Sequence, residues 1–126
     1  AVSLANVSDE NFSTAAFVTV DIVNRFRKNN FHEPILLNIN VPDISYNNLQ
    51  GIAVTRLGRR HKAEPVIKSE SPRGDIVYWV GAAGAVQDAS ENTDFHAIQQ
   101  NRVSITPLQI DLTQYNQLEM VKQWLK

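Results

Sequence analysis

Apolar residues recur at helical spacing early in the chain and at strand spacing afterwards. Ala15, Ala16, Thr19, Ile22, Val23 and Phe26 fall on one side of a 3.6-residue period, which predicts an amphipathic helix. Ser8-Asp9-Glu10 supplies an N-cap and first-turn acids, and Arg25, Arg27 and Lys28 sit where the helix dipole favours cations. The expected helix covers 8–29, with Asn29-Asn30 as its stop. Ahead of it, Ala1-Val-Ser-Leu4 reads as the end of a buried strand.

The period then changes to two. In Ile35-Leu-Leu-Asn-Ile-Asn-Val41, alternate residues place Ile35, Leu37, Ile39 and Val41 on one face and Leu36, Asn38 and Asn40 on the other. Pro42 closes this strand, 43–50 is turn-rich, and Gly51–Thr55 begins another. Pro65–Lys68 and Asp75–Val80 flank the Pro/Gly turn at 69–74, which predicts a hairpin. The small and polar stretch 81–92 reads as a loop. Thr93-Asp94 then caps a short helix, Phe95–Gln100. Val103–Thr106 is a strand stopped by Pro107. Last, Thr113 or Asn116 caps a helix to Trp124, with Leu118, Val121, Trp124 and Leu125 on one side. This order fits an α/β or α+β domain.

Composition narrows the function classes. The 126 residues suffice for one core, and 43% hydrophobic with 20% charged residues is ordinary for a globular chain. A net charge of −1 gives no global field toward nucleic acid or an anionic membrane. The absence of cysteine removes disulfides and thiolate zinc, and it suits a reducing, cytoplasmic setting. No apolar run approaches the roughly 20 residues of a membrane span. The N-terminus has neither the basic flank nor the apolar core of a signal peptide.

Candidate chemistry is sparse. His32, His61 and His96 fall in three different elements, and Asp94 and His96 at i, i+2 on a helix point to different faces. There is no nucleophile elbow, no phosphate-binding glycine loop and no clustered carboxylate pair. The dense feature is Thr55-Arg-Leu-Gly-Arg-Arg-His-Lys62, with four cations in eight residues. Strand parity puts Arg56 on the row of Ile52 and Val54, and Arg60 joins it if no bulge intervenes at Gly58. An arginine continuing an apolar row needs a carboxylate or phosphate partner. The first reading is a structural ion pair, the second a phosphate contact. Nucleic-acid binding comes third, because no aromatic residue interleaves the cations.

Several segments in series resemble one family. They are Leu36-Leu-Asn-Ile-Asn-Val-Pro42, Gly51-Ile-x-Val-Thr-Arg-x-Gly-x-Arg60, Pro72-Arg-Gly74 with Tyr78-Trp79-x-Gly81, Thr93-Asp-Phe95, Val103-Ser-Ile-Thr-Pro-Leu108 and Asp111-Leu-Thr113. In this order they are similar to the C-terminal half of the SurE survival proteins, a family of 5'-nucleotidases. The resemblance implies part of a Rossmann-like three-layer α/β/α fold, covering 1–106 with a hairpin arm at about 64–81. The tail at 107–126 is then swapped between subunits of a homo-dimer or tetramer.

The resemblance also implies a nucleoside monophosphate substrate and a divalent metal, Mg²⁺ or Mn²⁺, in the full-length protein. The family's metal ligands, an Asp-Asp pair with a Ser and an Asn, lie before this chain begins. The expectation is therefore a scaffold and oligomer-contact half, inactive alone and binding no metal by itself. Arg56, Arg60, Asp94 and Asp111 are its candidate structural or interface residues. Asn92 stands where the family often has a glycine before Thr-Asp-Phe, and Asn101-Arg102 where it often has a Gly-aromatic pair before Val-Ser-Ile-Thr. The alternatives are a non-enzymatic oligomerisation module, or a nucleic-acid-binding module that uses the Arg56–Lys62 cluster.

Overall fold

The computed structural model describes residues 1–5, 10–29, 31 and 33–126. Its elements are β1 (Val2–Leu4), α1 (Phe12–Lys28), β2 (Leu36–Val41), β3 (Ile52–Val54), β4 (Arg59–Arg60), β5 (Ile67–Glu70), β6 (Ile76–Trp79), β7 (Val86–Asp88), α2 (Asp94–Gln99), β8 (Val103–Leu108) and α3 (Leu118–Trp124). Four strands form one sheet in the order β1-β2-β8-β3. β1 runs parallel to β2, β8 antiparallel to β2, and β3 parallel to β8.

α1 is the crossover between the parallel pair, as such a pair requires. Thr14 and Val18, four residues apart, are its buried positions, with Ala15 and Ile22 beside them. Val18, Ala15 and Ile22 pack on Ile39, Val41 and Val103 to make the core. The helix starts at Phe12 rather than 8, because Glu10 and Asn11 form a turn. The Asn11 amide donates to Asp43 at 2.9 Å instead of capping the helix. The cap expected at Ser8 lies outside the described residues. At the other end, the Asn29 side chain donates to the Arg25 carbonyl at 2.7 Å and closes the last turn.

The opposite face of the sheet is polar. Pairing of Ser3 with Asn40, Asn40 with Ser104, and Asn38 with Thr106 sets these side chains on one surface. Thr55 joins them, and its hydroxyl bonds Ser104 Oγ at 2.8 Å and Thr106 Oγ1 at 2.7 Å. α2 packs over this face against β8 and β2. The result is a three-layer α/β/α arrangement: α1, a mixed sheet, α2.

All three hydroxyl residues are buried. Thr55→Val strips Ser104 and Thr106 of this shared partner, and an orphaned buried hydroxyl costs about 1–3 kcal/mol. A fall of that size in the unfolding free energy from denaturant titration is expected, with Thr55→Ser close to wild type.

Three further expectations change. The 81–92 stretch is not all loop, because β7 pairs antiparallel with β4 in a separate two-stranded ribbon. β8 runs through Pro107 to Leu108. Ile105 accepts the Thr55 N–H, so odd residues of β8 aim their backbone groups at β3. Pro107 shares that parity but lies beyond the end of β3, so no ladder bond needs its missing N–H. Finally, α3 begins at Leu118, after a 3-10 turn at Tyr115–Gln117, with no side-chain cap from Thr113 or Asn116.

The predicted hairpin forms as β5 and β6, closed by Ser71–Gly74 with Gly74 at φ 87°.

Candidate functional site

The cationic stretch lies where β3 leaves the sheet. The Arg56 backbone forms a parallel bridge with Thr93: its N–H donates to Asn92 O at 2.9 Å, and its carbonyl accepts from Asp94 N at 3.1 Å. The guanidinium donates to Asp88 Oδ2 at 2.8 Å and to Ser90 Oγ at 2.8 Å. Ser90 in turn donates its N–H and hydroxyl to Asp88 Oδ1 at 3.1 and 2.6 Å. One arginine thus ties β3 to β7 and to the loop before α2.

The hydrogen bond from Arg56, followed by those from Ser90, holds the Asp88 carboxyl well below the usual carboxylate range. The same pairing raises Arg56. The sign follows from a depressed folded pKa: the clamp's contribution is complete above the unfolded value, near pH 4, and fades as pH falls through the folded one. Melting temperature measured from pH 7 to pH 2 is expected to hold down to about pH 4 and then fall. Asp88→Asn should flatten part of that fall. Parallel curves for the two proteins would show that the clamp contributes nothing.

Arg56 does not continue a buried apolar row. Val54, its neighbour on that row, is 77% exposed. α1 packs mainly on β1 and β2, and Arg56 is itself exposed, so burial in a core does not force it to find a partner.

Arg60 is not on that row either. It belongs to β4, where the register with β7 shifts between Arg59 and Arg60. Its guanidinium sits 4.9 Å from the Phe95 ring centroid and donates to Gly84 O at 3.2 Å. Asp94 anchors the same corner. Its Oδ1 accepts from Gly58 N at 2.8 Å and from its neighbour Phe95 N at 2.9 Å. Thr93 Oγ1 caps α2 by accepting from His96 N at 3.1 Å.

Arg60, Asp94 and Phe95 border a cleft of about 630 Å³ over the polar sheet face, with Ser3, Asn38 and Asn40 on its floor. Three of the four candidate residues therefore share one junction: Arg56 through the backbone of Asp94, and Arg60 and Asp94 on the cleft wall. Asp111 lies apart, in the tail. There the Tyr115 hydroxyl, then Thr113, hold its carboxyl down at about 2.

Sequence patterns do not single out Asp88, Ser90, Phe95, Asn38 or Asn40 as site residues. The Asp88-x-Ser90 spacing is an Asx-turn signal that would mark the first pair.

The N-terminal half of the chain, residues 1–64, matches the family model described as "Survival protein SurE". The chain belongs to the SurE family. It is 70% identical over 125 residues to a 5'-nucleotidase SurE from Nitrosomonas eutropha, and 68% identical to one from Nitrosomonas europaea. The alignments take in 99% of this chain and 51% of each relative, so the chain spans about half the length of the curated relatives it matches. The crystal structure of the SurE protein from Aquifex aeolicus superposes with a TM-score of 0.75 at 36% identity, covering 100% of this chain and 51% of that one. The mixed sheet with α1 and α2 on its two faces is thus part of a SurE fold.

The described residues of this SurE chain gather no group of three His, Asp or Glu side chains that could hold a metal ion. His96 contributes a backbone contact to the Thr93 cap, and His61 is exposed. His32 lies outside the described residues. No step of metal chemistry can be derived from these side chains. Among the described residues no helix is long and apolar enough to cross a membrane.

Proposed function

We propose that this chain is the C-terminal part of a divalent-metal-dependent 5'-nucleotidase that hydrolyses nucleoside monophosphates in the cytoplasm. The observation that carries the reading is 70% identity across 99% of the chain to a protein named 5'-nucleotidase SurE. A phosphomonoesterase of this kind uses Mg²⁺ or Mn²⁺ to polarise phosphoryl oxygens and activate water. Hard cations of that type take carboxylate-rich oxygen sets. The segments outside this chain would supply them.

The chain itself completes the sheet and carries two surfaces suited to a homo-dimer or tetramer. One is the hairpin arm, where Ile67, Ile76, Tyr78 and Trp79 are all exposed. The other is the tail after Pro107. Arg56 and Asp94 brace the base of the arm. The nucleic-acid reading loses weight because Arg56 is neutralised by Asp88.

Phosphate release from a panel of nucleoside monophosphates tests the reading. The whole protein with Mg²⁺ or Mn²⁺ is expected to turn over, and chelation to abolish turnover. The 126-residue chain alone should show none. An inactive whole protein with metal present would refute the nucleotidase assignment. Activity of the isolated chain would refute the division of labour.

A further inference from the structure

The side chains of Ser3, Asn38 and Asn40 have no hydrogen-bond partner among the described residues. No buried side-chain polar atom is left unsatisfied there, so these groups open into the cleft. Asn38 and Asn40 stand two residues apart on one strand face, which spaces their carboxamides about 7 Å apart. Each offers two donors and an acceptor. At the wall, Arg60 spends one N–H on Gly84 O and faces no carboxylate within 4.0 Å among the described residues, while Arg56 has Asp88. The Asp94 carboxylate lines the same wall and repels an anion, which leaves Arg60 as the side where negative charge is favoured. A cleft of about 630 Å³ is of the size that holds a small organic ligand.

We propose that this cleft recognises the nucleoside monophosphate, with Asn38 and Asn40 binding its uncharged nucleoside part and Arg60 its phosphate. The inference rests on the nucleotidase reading and gives this half a specificity role beyond scaffold. Carboxamides on a rigid strand pair with base edges and sugar hydroxyls. A guanidinium with free donors suits phosphate oxygens. The competing outcome is that side chains from the remainder of the protein occupy the cleft and satisfy the two amides.

The test uses the whole protein and two substrates, adenosine 5'-monophosphate and phenyl phosphate, which lacks the nucleoside. In Asn38→Ala and Asn40→Ala, KM for the nucleotide should rise about tenfold or more while KM for phenyl phosphate and the melting temperature stay unchanged. In Arg60→Gln, KM should rise for both substrates, with partial recovery in Arg60→Lys. Unchanged KM values overturn the proposal, and so does an equal loss on both substrates with a lowered melting temperature in the asparagine variants.

Calorimetric titration of adenosine 5'-monophosphate into the chelated protein gives a reading independent of turnover. Affinity equal in wild type and Asn40→Ala overturns the proposal even if the enzyme is active. Conversely, an inactive protein that binds the nucleotide through Asn40 sinks only the nucleotidase reading.

Discussion

Gly58→Ala is expected to destabilise the protein by about 1–3 kcal/mol, the usual cost of forcing extra volume into a packed site. A Cβ at this position would overlap a ring carbon of Phe95 and sit 2.6 Å from the carbonyl oxygen of Asp88. Neither neighbour can withdraw easily. Phe95 lies in the first turn of α2 under the Arg60 guanidinium, and Asp88 is held in β7 by Arg59 and by the Arg56 clamp. Moving Gly58 instead would break the bond from its N–H to Asp94.

The cause is contact, not backbone conformation, and that is testable by a double-mutant cycle. Phe95→Leu should relieve part of the crowding, so the double variant should lose less than the two single losses added together. Strict additivity would mean that the Phe95 ring is not the obstacle. Gly51 is the counter-example: at φ 92°, with no atom within 4 Å of the place a methyl group would take, its replacement by Ala carries backbone strain alone.

The contrast between these two glycines shows what a reading of the chain can reach. Local patterns carried α1, β2, the hairpin and the Thr93 cap, because periodicity, turn residues and caps act over a few positions. Parity even placed Asn38 and Asn40 together on the face away from Ile39 and Val41. It could not show that this face opens into a cleft, since α2 is recruited from far downstream in the chain.

Arg56 is the same case. Its partner Asp88 lies 32 residues on, in a stretch whose small residues look like pure loop. β4 and β7 are two and three residues long, too short to leave a periodic trace, and they exist only because each supplies the other's ladder. Pro107 misled for a related reason. A proline stops a strand only where a neighbour needs its N–H, and β3 has already ended there. Of the candidate residues, Arg56, Arg60 and Asp94 were visible as charge in a motif, but their division into clamp, cleft wall and loop anchor is a product of long-range packing.

Removing 110–126 from the whole protein is expected to convert the proposed homo-oligomer to a species of fewer subunits at unchanged fold of the remainder. Every residue from 111 to 126 is exposed, including Leu112 at 94% and Trp124 at 80%. α3 has seven residues and no buried side chain. A helix that short is marginal in water without packing, since isolated helices need roughly 12–15 residues. Its apolar side, Leu118, Val121 and Leu125, therefore calls for a surface that this chain does not supply among its described residues.

A second copy fits that need, because one copy's tail can bury the apolar surface that its twin exposes, and closed exchange between identical chains costs little. Sedimentation or light scattering of the truncated protein should report a lower mass, and Trp124→Glu should do the same in part. Trp79→Glu on the hairpin arm separates the two contacts: if the arm carries its own interface, this change removes a different step of assembly. An undiminished mass after tail removal would assign the tail's apolar side to the remainder of its own chain instead.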